Sequence, residues 1–310
     1  MRVSTVGHIE SIKASLARQS ARLGKLHQQL SAGKRVCELS DDPVAASRVA
    51  RAHTALSELG SRRFVIREAQ QLLGAADAAL ADMGQALQRC HDLSLRAMSP
   101  QLGQGERLAL AQEVRYLSTT LMAAGNASVQ GTYIFAGTQT NTQPFRTSDI
   151  SGLPVAYLGN HQAPVYHLSS TQSLPAGFTG AELFNYPDAA GQRPLGTVDT
   201  DVFSLLADLA DSIERGDGGR VSELSGQVNA CHEHVVGLRG QAGVMVQRCE
   251  WFTSACDATE TRLRELLAQE EDLDIAAAIT DLSAEQTAYQ ALLGMTARML
   301  ATPNLFEATW

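Results

Sequence analysis

The chain has 310 residues, 44% hydrophobic and 19% charged, so it holds enough apolar material for a core and is not broadly disordered. Its formal charge of −8 argues against general nucleic-acid binding, which needs a basic surface. No apolar run approaches the roughly 18–20 residues of a membrane span, and the N-terminal segment lacks the continuous apolar stretch of a cleavable signal peptide. Aromatics are scarce at 5%, while Ala and Leu dominate. That composition favours long helices packed through small and aliphatic side chains over a compact enzyme.

The first predicted helix carries Ile9, Ile12, Leu16, Leu23, Leu26 and Leu30 at alternating three- and four-residue steps, interrupted only by Gln19. So narrow a stripe wants a partner helix rather than a broad core. On the opposite face Ala14, Ala17, Ala21 and Gly24 are small enough to admit close neighbours. Ser31-Ala32-Gly33-Lys34-Arg35 then stops the helix, and Ser40-Asp41-Asp42-Pro43 restarts one. Asp42 is placed to cap free backbone N–H groups, and Pro43 suits the first turn because its missing N–H has no partner to lose there.

From Ile66 to Ala97 a second stripe (Ile66, Ala69, Leu73, Ala76, Leu80, Met83, Leu87, Cys90, Ser94, Ala97) keeps the heptad without a slip until Pro100 and Gly103 end it. A further helix carries Leu110, Val114, Leu117, Leu121 and Ala124. Between residues 137 and 198 the sequence changes character. Six of the nine prolines fall between Pro144 and Pro194, and nine of the sixteen aromatics between Tyr133 and Phe203. Runs such as Val155–Leu158 and Val165–Leu168, bounded by Gly, Asn and Pro, predict short strands.

The longest predicted helix follows, with a stripe from Val221 through Cys231, Leu238, Cys249, Phe252 and Cys256 to Leu263 and Leu266. At 1.5 Å per residue it is a rod of about 70 Å, weakened at Gly237, Gly240 and Gly243 by roughly 1 kcal/mol each relative to Ala. The last helix repeats the rhythm of the first with Ile275, Ile279, Leu282, Tyr289 and Leu293, and with Gln286 and Thr296 as polar intruders. Ala277, Ala284 and Ala291 give it a small-residue face as well. Residues 1–35 hold seven basic side chains against the single acid Glu10, whereas residues 265–285 hold seven acids and no Lys or Arg. Opposite charge on the two end segments predicts that they pair.

The fold class is therefore mainly α with a small β insert, elongated, with coiled-coil-like helices from both termini packed together. Residues 1–34 with 275–310 make one expected part, 35–136 with 199–274 a helical rod, and 137–198 a β-rich outer domain. A few seam residues per end helix, worth about 1.5–3 kcal/mol each on full burial, must beat roughly 1–2 kcal/mol of backbone entropy per ordered residue. The ends are thus expected to stay largely unfolded in a free monomer and to order on assembly.

Little points to chemistry. The five cysteines form no CxxC pair, and four of them fall on apolar helix positions, as small core residues do. In Cys231-His232-Glu233-His234 the two histidines point to different faces, so the spacing is wrong for zinc on one helix. Cys90-His91 has the same weakness, and Glu270-Glu271-Asp272 reads as a solvated, charged hinge. With no phosphate loop, nucleophile elbow or dinucleotide fingerprint, neither a cofactor nor an enzyme activity is expected.

Four stretches in this order carry a resemblance. Leu26–Arg35 followed by Ser40-Asp41-Asp42-Pro43-Val44-Ala45-Ala46 resembles the N-terminal signature of the bacterial flagellin superfamily. Gly131-Thr132-Tyr133-Ile134-Phe135-Ala136-Gly137 through Pro144-Phe145, with Gly159-Asn160 and Thr179–Phe184, resembles the β insert of its hook-associated branch. Asp274–Leu282 and Gln286–Ala291 resemble its C-terminal helix. The resemblance implies an extracellular structural part of the flagellum, exported by the flagellar type III apparatus without a cleaved signal peptide. It implies a ring of copies at the junction of hook and filament, between a second junction protein and the first flagellin subunits. It also implies a cytosolic export chaperone on the C-terminal helix, and no nucleic-acid or membrane partner. The Ile9–Leu30 and Ile275–Leu293 stripes would be the assembly interface. A flagellin-type filament subunit and an unrelated coiled-coil scaffold are the alternatives.

Overall fold

The computed structural model describes residues 2–148, 154–167, 173–175, 177–187, 191–196 and 198–301. Leu168, the tail 302–310 and the side chain of Ile9 lie outside what is described. The elements are α1 (Arg2–Ala32), α2 (Pro43–Ala97), α3 (Gln104–Gly125), β1 (Ser128–Val129), β2 (Thr132–Tyr133), β3 (Phe145–Thr147), β4 (Val155–Tyr157), β5 (Val165–His167), β6 (Ser173–Pro175), α4 (Gly180–Leu183), α5 (Val202–Arg215), α6 (Gly218–Glu271) and α7 (Ile275–Ala301). The chain is thus mainly α with a small β insertion. It forms two compact units, Met1–Leu59 with Asp257–Trp310, and Gly60–Cys256.

In the larger unit the α2 stripe from Ile66 to Ser94 is buried throughout and faces a buried stripe of α6 from Val221 to Ala242. Asp77 meets Arg239 at 2.9 Å and His91 meets Ser225 at 3.2 Å, so the two helices run antiparallel. Ser94 and Ser225, both buried, share a 2.6 Å hydrogen bond, so the stripe's one hydroxyl is not left unpartnered. α3 packs along α5. The α5 helix is not among the elements expected from the sequence. Its start is set by Asp201, whose carboxylate accepts from Ser204 N at 2.9 Å, and its end by left-handed Gly216 (φ 75°). Toward the C-terminal end of α6 the predicted stripe thins out, with Leu263 half-buried and Leu266 exposed.

The insert is three two-stranded antiparallel ladders, β1 with β2, β3 with β4 and β5 with β6. β1 and β2 precede residue 137, where the insert was expected to begin, and are joined by Gln130 and Gly131, both with positive φ as a two-residue hairpin turn requires. The insert is rooted on Phe145, Tyr157, Phe184, Tyr186 and Phe203, with ring centroids 4.8–6.2 Å apart. Asn126 and Asn185 pin this root. Asn126 exchanges two 2.9 Å bonds with the Phe145 backbone, and buried Asn185 (φ 60°) donates to the carbonyls of Val198 and Thr200 at 2.8 Å. Burial raises the Tyr157 hydroxyl to about 12, consistent with its neutral role as donor to the Asn160 carbonyl at 2.7 Å.

Candidate assembly site

The smaller unit joins the two ends of the chain. Residues after α1 must turn back sharply, and Gly33 does so with φ 66° while Lys34 N donates to Gln29 O at 3.2 Å. The following loop is gathered by Asp41, whose Oδ2 accepts from Cys37 N at 3.2 Å and Glu38 N at 3.1 Å. Its Oδ1 lies 2.8 Å from Lys25 Nζ, and that ammonium holds the carboxyl below its ordinary range. Asp42 then caps α2 through Val44 N and Ala45 N, as read from the sequence. Asp274 starts α7 in the same way, accepting from Ala277 N at 3.0 Å.

The two links are sewn together. Arg35 N donates to Glu271 O at 2.7 Å and Leu273 N to Gly33 O at 3.2 Å, an antiparallel bridge between Lys34 and Asp272. Side chains reinforce it. Lys34 pairs with Glu271, Arg48 reaches Glu270 at 2.7 Å, Arg35 lies 3.7 Å from Glu270, and His53 lies 3.5 Å from Glu271. The Lys34 hydrogen bond depresses Glu271, and the same contact raises Lys34. This corrects the expectation of a solvated acidic hinge. Glu271 is only 9% exposed, because basic side chains from α2 and the first link cover the run Glu270–Glu271.

From this clasp α1 and α7 run antiparallel and pack along each other. Ile12, Leu16, Leu23, Leu26 and Leu30 are half-buried, and among the described residues of α1 none is fully buried. On α7 the inward face is Ala278, Leu282, Glu285, Tyr289, Leu292 and Thr296. Leu282 and Tyr289 lie in the predicted stripe, whereas Ile275, Ile279 and Leu293 are 57, 52 and 44% exposed. The polar residue in the seam is Glu285 and not Gln286, which faces out. Glu285 accepts from Gln19 Nε2, the one interruption of the α1 stripe, and lies 3.6 Å from Arg22. Pairing a small Ala278 and a bonded Glu285 against α1 turns the helix about its axis and leaves the larger aliphatic groups outside. The small residues Ala14, Ala17, Ala21 and Gly24 of α1, and Ala277, Ala284 and Ala291 of α7, are exposed too.

The residues weighed for chemistry are used structurally. Cys90, Cys231, Cys249 and Cys256 are buried, and burial raises the first two thiols to about 12. His234 Nε2 donates to the Glu182 carbonyl at 2.8 Å. Among the described residues no group of His, Cys, Asp and Glu is arranged to hold a metal, and no helix is long and apolar enough to cross a membrane.

Residues 3–140 match the bacterial flagellin N-terminal helical region. The flagellar hook-associated protein 3 of Salmonella typhimurium is 29% identical over 186 residues, covering 60% of this chain and 57% of that protein. The Escherichia coli protein of the same name is 24% identical over 304 residues, 94% of each chain. Among solved structures, a flagellar hook-associated protein from Vibrio parahaemolyticus shares 18% identity at a TM-score of 0.66, covering 75% of this chain and all of that one. The flagellar junction protein FlgL of Legionella pneumophila shares 13% at a TM-score of 0.59, covering 73% of this chain and 100% of its own. Those two structures establish a common fold, while the sequence matches carry the kinship. Over residues 3–140 the chain is thus similar to the bacterial flagellin N-terminal helical region, and flagellar hook-associated protein 3 is among its relatives.

Proposed function

We propose that this chain is a structural subunit of the bacterial flagellum that forms the junction between hook and filament and lets flagellin assemble. The observation that carries the reading is the α1–α7 pair, which leaves Ile275, Ile279 and Leu293 uncovered along one side of α7. An aliphatic ridge at the chain's ends, beside exposed small-residue faces, suits a subunit whose terminal helices meet further helices from neighbours. Residues 1–34 with 275–310 act as the polymerising part, and Ile9–Leu30 with Ile275–Leu293 as its interface. Its neighbours are copies in a ring, the second junction protein and the first flagellin subunits. Before export a chaperone covers the C-terminal helix, and the subunit leaves through the type III apparatus. The role is mechanical, in keeping with relatives named as flagellar structural proteins.

Deleting the gene tests this. Immotile cells that build hooks and shed flagellin monomers are expected. Normal filaments would overturn the reading. Purified protein that polymerises alone into long filaments would favour a filament subunit.

A further inference from the structure

Two surfaces of the larger unit stay open among the described residues and complement each other. The first is a groove between α2 and α3 walled by alanines, among them Ala75, Ala79, Ala123 and Ala124, with the carboxylate of Asp82 on its wall. Asp82 is exposed and makes no hydrogen bond or ion pair among the described residues. The second is a ridge on α6, where Val244, Arg248 and Trp251 follow at i, i+4 and i+7 and share one face. Val244 is 65% and Trp251 63% exposed. Arg248 lies 5.8 Å over the Phe252 ring and has no carboxylate partner among the described residues.

One copy cannot satisfy both. α2 and α6 are antiparallel with Asp77 level with Arg239, so Asp82 lies to one side of that level and Trp251 to the other. At 1.5 Å per residue they are about 25 Å apart along the helices.

We propose that the α6 ridge of one copy docks in the α2–α3 groove of the next, with Arg248 paired to Asp82 and Trp251 laid on the alanine wall. The bulky aromatic fits where the alanines of the groove carry only methyl groups, and the unpaired guanidinium meets the unpaired carboxylate. The contact is heterologous, so each copy offers one ridge and one groove, and pairing Arg248 with Asp82 gives a ring or helix with neighbours staggered by about 21 Å. The inference rests on the junction reading and names the surface by which its copies meet.

Charge reversal tests it in a deletion strain complemented with variants, reading flagellin released into the medium. Asp82→Arg alone and Arg248→Asp alone are expected to release flagellin at nearly the deletion level, and the two reversals together to return it to that of the unaltered chain. Circular dichroism of each purified variant separates docking from misfolding, and Trp251→Ala supplies a neutral second test with the same expected loss. Single reversals that behave like the unaltered chain would overturn the docking. So would a double variant no better than the singles, which would mean that a different protein occupies the groove. A deletion strain that sheds no flagellin would instead overturn the junction reading itself.

Discussion

Gln19 of α1 donates its side-chain amide to Glu285 of α7, making one polar layer in a seam otherwise aliphatic on the α1 side. A part-buried polar pair in a heptad seam favours one register, because a shift of either helix would leave amide and carboxylate facing methyl groups. Replacing both by Leu is expected to tighten α1 on α7 by about 1–3 kcal/mol while allowing alternative registers. Disulfide trapping would read this, with a cysteine at Leu23 cross-linking to one at Leu282 but not to one a turn away at Ala278 in the unaltered pair, and to both in the Leu/Leu variant.

Acid should open the clasp between the links. Glu271 is held below its ordinary value of 4.5, so its contribution is present above that value and is lost as pH falls through the depressed one. Lys34 is raised above 10.5, so its contribution is full below that value and is lost only at still higher pH. Amide exchange at Arg35 and Leu273, whose N–H groups bridge the links, is therefore expected to rise relative to its intrinsic rate below about pH 4.5. Glu271→Gln should produce the same rise at neutral pH, at a cost of about 1 kcal/mol for a partly exposed pair.

The insert's root should be intolerant of a single methyl group. A Cβ on Gly180 would lie 2.4 Å from Phe145 Cζ and 2.6 Å from Tyr157, both held in the aromatic cluster. Gly180→Ala is expected to cost about 1–3 kcal/mol by overpacking, a fall in melting temperature of several degrees by calorimetry. Gly226→Ala on α6, where nothing stands within 4 Å, should be neutral or stabilising.

How much of this was legible follows from which residues announce themselves. The cap at Asp42-Pro43, the stop at Gly33 and the Ile66–Ser94 stripe depend on local chemistry or on large apolar side chains, and the sequence reading placed them. On α7 the reading of Leu282, Tyr289 and Thr296 matches the inward face, but the seam also uses Ala278 and Glu285, which do not look like seam residues, while Ile275, Ile279 and Leu293 do. The sequence reading paired the two end helices, and in that pair these three residues stay exposed. α5 was not identified as an element although its signals were present, a cap at Asp201 and a glycine at 216, because attention went to the long stripe that begins at Val221. The clasp was half legible. Charge asymmetry predicted that the ends meet, but only the fold shows Lys34 and Arg35 meeting Glu270 and Glu271.

The most direct test is amide exchange over residues 10–30 and 275–298, measured on the free subunit and on the subunit within isolated hook–filament structures. A half-buried seam with an aliphatic ridge outside it predicts weak protection in the free subunit and strong protection after assembly, greatest around Ile279 and Leu293. Strong protection of residues 10–30 in the free subunit, unchanged on assembly, would contradict an end pair completed by its neighbours.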